Sequence, residues 1–189
     1  RIYAPLLDTV SHFKLSNTST IEVIFSSLRY INSEFRINGN AQLLSLDFPL
    51  LEEISNAYFY IYSNPLISSI DWNQLLTIQD SNFSIYENPM LTTILLNNLS
   101  HINDNDPNNY INSFGFYSNP SLLEIGLEAL EDVESNFAVN DNNALETIEL
   151  PQLVNAHRAF QIRFNLSLTS LSAPMFFSVG DYLFSGQSF

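Results

Sequence analysis

The sequence predicts an all-β fold, a right-handed parallel β-solenoid of about eight turns of 22–24 residues with one loop insertion. The steps between the positions that mark successive repeats are 22, 24, 24, 31, 23, 23 and 23 residues. Repeats of this length are typical of solenoids, in which each repeat forms one turn that stacks on its neighbours. The marker positions, all phenylalanine except the last, are Phe13, Phe35, Phe59, Phe83, Phe114, Phe137, Phe160 and Leu183.

Each repeat begins with a predicted strand around its marker residue. A second apolar residue stands two positions further on, as in Ile61, Ile85 and Val139, with outward-facing residues between. Alternation with a period of two is typical of a strand with one buried face. Another apolar pair follows eight and eleven positions after the marker, as in Ile67 and Ile70, and predicts a second short strand.

The remainder of each repeat closes the turn. A proline such as Pro49 marks the corner, and a third apolar stretch such as Leu51 and Ile54 follows it. An asparagine recurs five positions after the marker, and we predict that this column is structural. An amide at a sharp bend can pair with backbone groups of its own turn and of the adjacent turn. The column comprises Asn40, Asn64, Asn88, Asn119, Asn142 and Asn165.

We expect residues 1–189 to form a single repeat domain, a segment of a longer array, because the chain begins and ends within a repeat. The 31-residue step contains a polar insertion loop at residues 103–109. In this loop Asp104, Asp106 and Asn108 have the alternating oxygen spacing of a calcium loop, without its turn glycine or distal glutamate. Calcium is the only cofactor that the sequence suggests.

Charge and composition limit the possible functions. The formal net charge of −14 argues against nucleic acid or anionic membranes as partners, since both attract basic surfaces. The absence of cysteine excludes disulfides and thiolate metal sites. No apolar run is long enough to predict a membrane span. We expect no enzymatic activity, because His12, His101 and His157 stand apart from serine or aspartate partners at motif spacing.

The repeat, written aromatic-x-Ile-x-x-Asn-Pro-x-Leu-x-x-Ile, resembles the repeat of receptor L domains. The spacing from Asn64 to Ile67 and from Asn142 to Leu145 carries this resemblance, which covers nearly the whole chain. The chain is also similar to fungal cell-wall proteins and bacterial surface proteins with such repeats. The resemblance implies a leucine-rich-repeat-like solenoid, an extracellular or cell-surface location and a non-catalytic role in recognition.

Outward positions of the first predicted strand bring tyrosines together on one face. Aromatic surfaces with hydroxyl rims suit sugar rings and protein contacts alike, which predicts a ligand-binding patch. The alternative is that tyrosine is simply a favourable strand residue that packs across strands. The five tyrosines are Tyr58, Tyr60, Tyr62, Tyr86 and Tyr117.

Two further groups of residues are possible sites. Asp47 and Asp71 occupy the same phase in adjacent repeats, so their carboxylates could hold Ca²⁺ or share a proton, or could be solvated like charges. Four Asn-x-Ser sequons are present, about as many as the composition alone would produce, and those at Asn17, Asn82 and Asn98 are predicted glycosylation sites. The sequon at Asn165 belongs to the buried asparagine column and should carry no glycan.

Two functions fit these patterns. The first is a non-catalytic extracellular surface module in adhesion, recognition or cell-wall architecture, with a protein or carbohydrate ligand. The alternative is a structural glycoprotein subunit that stacks end to end into a filament or coat. A turn that is left open at the end of a solenoid exposes strand edges and core, which favours self-association.

Overall fold

The computed structural model describes residues 1–105 and 113–180, together with the backbone of residues 183–185. The regular secondary structure of these residues consists entirely of β-strands. In chain order the strands are β1 (Ile2–Tyr3), β2 (Thr9–Ser16), β3 (Glu22–Ile24), β4 (Tyr30–Asn38), β5 (Ser45–Asp47), β6 (Glu53–Ser55), β7 (Tyr58–Tyr62), β8 (Ser69–Asp71), β9 (Thr77–Gln79), β10 (Asn82–Tyr86), β11 (Thr93–Leu95), β12 (His101–Asn103), β13 (Ser113–Tyr117), β14 (Glu124–Gly126), β15 (Asp132–Val133), β16 (Asn136–Asn140), β17 (Thr147–Glu149), β18 (Asn155–Ala156), β19 (Phe160–Arg163), β20 (Ser170–Ser172), β21 (Ser178–Val179) and β22 (Leu183–Ser185).

These strands wind into a parallel β-solenoid of about seven turns, which confirms the predicted fold class. The first face contains β2, β4, β7, β10, β13, β16, β19 and β22. The second face contains β1, β3, β5, β8, β11, β14, β17 and β20, and the third face contains β6, β9, β12, β15, β18 and β21. Strand β4 joins the first and third faces into one sheet, because residues 30–31 pair with β6 and residues 34–38 pair with β7.

The marker residues align from turn to turn as the repeat predicts. Phe59 pairs with Phe83 in register, and Phe83 pairs with Phe114 across the 31-residue step. The rings stack inside the coil, with centroids 4.8 Å apart for Phe59 and Phe83 and 4.8 Å apart for Phe137 and Phe160. This continuous aromatic column forms the centre of the core.

The asparagine column lies inside the corner between the first and second faces. Asn64 is typical: its Nδ2 donates to the carbonyl of Ile37 at 3.0 Å, and its Oδ1 accepts from the backbone N–H of Asn40 at 3.1 Å. All six asparagines are buried. In the first turn Thr18 takes the equivalent position, and its hydroxyl donates to Asn40 Oδ1 at 2.8 Å. These hydrogen bonds join each turn to the next, which is a structural role.

A left-handed residue precedes each asparagine and makes the corner tight. The φ angle is +65° at Gly39, and at the other five positions a non-glycine residue holds positive φ. Such a conformation costs a non-glycine residue about 1 kcal/mol or more, and persists because the surrounding structure enforces it. These five residues are Ser63, Glu87, Ser118, Asp141 and Phe164.

The insertion between β12 and β13 begins later than the predicted loop at 103–109. Asn103 is the last residue of β12, so the irregular segment starts at Asp104. The Asp104 carboxylate is buried against Arg158, with Oδ2 3.1 Å from Nη1. Asn105 donates its backbone N–H and its Nδ2 to the carboxylate of Asp80, at 2.7 and 2.9 Å. The two contacts attach the start of the insertion to the preceding turn, through Asp80, and to the turn two further on, through Arg158.

No helix in the described part of the chain has the length and apolar character needed to cross a bilayer.

Candidate ligand-binding face

Strand register determines which tyrosines share the outer surface of the first face. Phe59 and Ile61 of β7 point into the core and are fully buried, so Tyr58, Tyr60 and Tyr62 project outwards. Strand β10 then places Tyr86 beside Tyr62. Tyr58, Tyr60, Tyr62 and Tyr86 form what we call the tyrosine patch.

Tyr62 and Tyr86 stack on each other. Their ring centroids are 4.6 Å apart and their planes differ by 3°. This separation is close to the spacing of the strands, so the ring planes face along the solenoid axis. The pair therefore presents ring edges and hydroxyl groups to solvent, where the sequence suggested a flat aromatic surface.

Tyr60 packs against a cation from the preceding turn. The guanidinium carbon of Arg36 lies 5.4 Å from the centre of the Tyr60 ring, a cation–π contact. Burial raises the pKa of Tyr60, and the Arg36 charge opposes that shift. Burial likewise raises the pKa of Tyr86, with the neighbouring Tyr62 and Glu87 adding to the rise. Both phenols are therefore neutral hydrogen-bonding groups at neutral pH.

Tyr117 does not continue the stack, although it has the phase of Tyr62 and Tyr86. A Cβ atom at Gly115 would lie 2.2 Å from Tyr117 Oη, so the ring lies back along β13 over Gly115. Burial there raises the pKa of Tyr117, while a hydrogen bond with Ser113 opposes the rise. The glycine at an outward position was the sequence signal for this arrangement. Tyr117 is consequently packed onto its own strand and is not part of the tyrosine patch.

A group of charged residues borders the tyrosine patch, and the sequence did not single it out. Lys14 Nζ lies 2.7 Å from Glu34 Oε2, and Arg36 Nη2 lies 3.4 Å from Glu34 Oε1. The hydrogen bond from Lys14 is the main cause that lowers the pKa of Glu34. In register, Glu34 stands beside Tyr58 and Arg36 beside Tyr60. The sequence signal that could have identified this group is that Lys14 and Arg36 occupy the same outward-facing position in adjacent repeats.

The predicted glycosylation sites differ in how far their side chains are exposed to solvent. Asn17 and Asn98 are exposed. Asn82, which the sequence placed on the outward face, is only 6% exposed, and its Oδ1 accepts from the backbone N–H and hydroxyl of Ser113, both at 3.2 Å. This burial disfavours a glycan at Asn82. Asn165 is buried within the asparagine column, as expected.

The paired aspartates lie on the second face. Asp47 and Asp71 both line an open groove of about 710 Å³. Asp71 Oδ1 accepts a hydrogen bond from Asn73 Nδ2 at 2.7 Å. Arg1 and Glu22 contribute to the same groove, which places one cation among its carboxylates.

The calcium site predicted in the insertion falls largely outside the described residues. Asp106 and Asn108 lie there, while Asp104 faces Arg158 in a buried ion pair. Within residues 1–105 and 113–180, no three histidine or acidic side chains are close enough to hold a metal ion.

Each histidine has a side-chain partner, which lies on an adjacent turn for His12 and His157 and is the preceding residue for His101. His157 Nε2 lies 3.1 Å from Asp132 Oδ1, and His101 Nδ1 lies 2.8 Å from the Ser100 hydroxyl. His12 Nε2 lies 3.3 Å from the hydroxyl of Ser33. The aspartate and the two serines thus each contact a different histidine.

Comparison with known proteins gives no relative. No family model, no curated protein and no solved structure matches this chain. The resemblance to receptor L-domain repeats therefore remains a prediction from the sequence.

Proposed function

We propose that this chain is a non-catalytic recognition module of the extracellular space or cell surface, acting in adhesion, recognition or cell-wall architecture. Its ligand, a protein or a carbohydrate, binds at the tyrosine patch. The observation that supports this proposal is the grouping of four tyrosine rings on two adjacent strands of a stacked coil.

The tyrosine patch has the physical properties of a binding surface. Its rings are held by strand register, by the stack of Tyr62 on Tyr86 and by the contact of Tyr60 with Arg36. Side chains that are already ordered lose little conformational entropy when a ligand binds. Each ring also offers apolar area and a hydroxyl that can donate or accept.

Alanine substitution tests the proposal. We expect Tyr60→Ala and Tyr62→Ala each to weaken binding about tenfold or more, the effect typical of a central aromatic contact. Binding is measured on a printed panel of oligosaccharides and on a peptide array. Tyr3→Ala is the matched control, because Tyr3 is 62% exposed on the second face, comparable with 56% for Tyr58. Unchanged binding by both patch variants would refute the proposal.

The second candidate function is end-to-end assembly of a structural subunit. Apolar side chains in the first and last described turns favour it, since Leu6 and Phe177 are almost fully exposed. Sedimentation velocity over a concentration series tests this function. We expect the mass to grow with concentration, and Leu6→Glu or Phe177→Glu to abolish the growth. A constant mass for the unmodified chain would exclude assembly.

A further inference from the structure

Two cations converge on one carboxylate at the edge of the tyrosine patch. Lys14 and Arg36 both contact Glu34. The side chains of Lys14 and Arg36 are 57% and 38% exposed, and that of Glu34 is 21% exposed. Solvent therefore meets mainly the positive groups. This local excess stands out in a chain with six lysines and arginines against twenty acidic residues.

Arg29 provides an internal comparison. It lies over the ring of Tyr30 at 5.5 Å, much as Arg36 lies over Tyr60. However, Arg29 Nη2 is bonded to both oxygens of Glu52, at 2.7 and 2.8 Å. Asp8 adds a second negative charge nearby. A cation stacked on tyrosine is thus fully compensated at Arg29, whereas Arg36 shares its carboxylate with Lys14.

The excess charge also reaches into the tyrosine patch. The Arg36 charge acts on the phenol of Tyr60 and opposes the effect of burial on its pKa. At Tyr86, further from the two cations, the exposed Glu87 outweighs Arg36, so the positive charge is confined to the Tyr60 side of the tyrosine patch. A ligand that places an anionic group on Arg36 and Lys14 would therefore lie beside the hydroxyls and ring edges of the tyrosine patch. Charge complementarity of this kind sets specificity and association rate at an interface.

We call Lys14 and Arg36 the cationic edge of the tyrosine patch. We infer that the tyrosine patch and its cationic edge bind an acidic polysaccharide, a chain of sugar rings that bear carboxylate or sulfate groups. The inference rests on the proposed function. Such a ligand supplies rings and hydroxyls for Tyr58, Tyr60, Tyr62 and Tyr86 together with anions for the two cations. An acidic peptide matches the charge but offers few rings.

Isothermal titration with hexagalacturonate and with its fully methyl-esterified form tests this inference. The two probes have the same sugar rings, and each carboxylate of the acid is replaced in the second by a neutral methyl ester. We expect the acid to bind at least about tenfold more tightly than the ester in low salt, and this difference to shrink at about 0.5 M salt because exposed charges are screened. A heparin hexasaccharide is the probe for sulfated chains.

Variants of the charged residues at the cationic edge show which side chains cause the preference for the acid. We expect Lys14→Gln to weaken binding of the acid about three- to tenfold and to leave binding of the ester unchanged. Arg36→Gln should weaken binding of the acid more than binding of the ester, because Arg36 also packs on the Tyr60 ring. Glu34→Gln should strengthen binding of the acid about twofold or more, since it removes the opposing carboxylate. Arg29→Gln is the control and should bind as the unmodified chain does. The thermal midpoint of each variant verifies folding.

Several outcomes would overturn the inference. If acid and ester bind equally, and Arg36→Gln changes neither, the ligand is neutral and only the proposed function survives. If polyglutamate binds more tightly than either acidic saccharide, the ligand is an acidic peptide. If neither hexagalacturonate nor heparin binds, the acidic polysaccharide is excluded. Failure of the proposed function is recognised separately, because Tyr60→Ala and Tyr62→Ala would then leave all binding intact.

Discussion

At the scale of single residues, the corner asparagine satisfies backbone groups in its own turn and in the preceding one. Asn142 Nδ2 donates to the carbonyl oxygens of Phe116 and Asn140, at 3.1 and 3.0 Å. Its Oδ1 accepts from the backbone N–H of Asn119 at 3.1 Å. These groups are buried, so no water replaces the amide if it is removed.

Adjacent asparagines allow a controlled test of this role. Asn142→Ala should lower the free energy of unfolding by about 3 kcal/mol, because several buried groups lose their partner at once. Asn143→Ala, at the exposed neighbouring position, should change it by less than about 0.5 kcal/mol. Urea denaturation followed by circular dichroism measures both values. Equal effects at the two positions would show that the column is dispensable.

The left-handed residue before each asparagine gives a second prediction. Gly39→Ala should destabilise the fold by about 1–2 kcal/mol, because φ is +65° and the new Cβ would lie 2.4 Å from Asn17 Oδ1. Ser118→Gly relieves a φ of +51° and should be neutral or stabilising by up to about 1 kcal/mol. Thermal denaturation of both variants tests the expected opposite signs. A stable Gly39→Ala variant would contradict the argument.

At the scale of elements, equivalent tyrosines on adjacent strands adopt different positions because of a single neighbour. Tyr86 stands out from β10 and stacks on Tyr62, whereas Tyr117 lies along β13. Position 115 decides the difference, since only a residue without Cβ leaves room for the Tyr117 ring. The end of the tyrosine patch is therefore set by a glycine.

The pKa values of the tyrosines on the first face depend on how far each ring is buried. Burial raises the pKa of Tyr60, Tyr86 and Tyr117 above 10, so their neutral forms stabilise the fold. That contribution is complete below the unfolded pKa of about 10 and is lost as the pH rises through the folded pKa. Absorbance at alkaline pH should show a fraction of tyrosines that titrates late.

The Gly115→Ala variant isolates one phenol. We expect the added methyl group to displace Tyr117 and to lower its pKa towards the usual value, while the pKa of Tyr60 and of Tyr86 stays raised. Tyr117→Phe identifies the signal by removing it. If the titration curve of Gly115→Ala matches that of the unmodified chain, the ring does not depend on the glycine.

At the scale of the whole molecule, the repeat determines the coil because each strand of the first face turns its large apolar residues towards the core. The positions of Phe59, Phe83 and Phe114 therefore determine strand register across the chain. The alternation of inward-facing and outward-facing positions does not by itself specify side-chain rotamers or contacts between turns. For this reason Asn82, at an outward phase, proved buried against Ser113. Side-chain rotamers also decide that Lys14 and Arg36 share one carboxylate. They likewise decide where the Tyr117 ring lies.

Stacking also predicts how stability is distributed. Each turn contacts only its neighbours, so a central turn is supported on both sides. Strand β10 pairs with β7 and β13 over nearly its full length, whereas β21 makes a two-residue ladder with β18. Backbone amides of β10 should therefore exchange with deuterium much more slowly than those of β21. Uniform protection along the chain would indicate a single cooperative unit.

The in-register pairing across the 31-residue step has a consequence for how this protein can vary. Asn88 and Asn119 are 31 residues apart, yet they make the same hydrogen bond as pairs that are 23 or 24 residues apart. The coil thus keeps the same register whether 23, 24 or 31 residues separate successive asparagines of the column. Foreign sequences should be tolerated at this site, which makes it the natural place for evolution, or an engineer, to add a new segment without disturbing the rest.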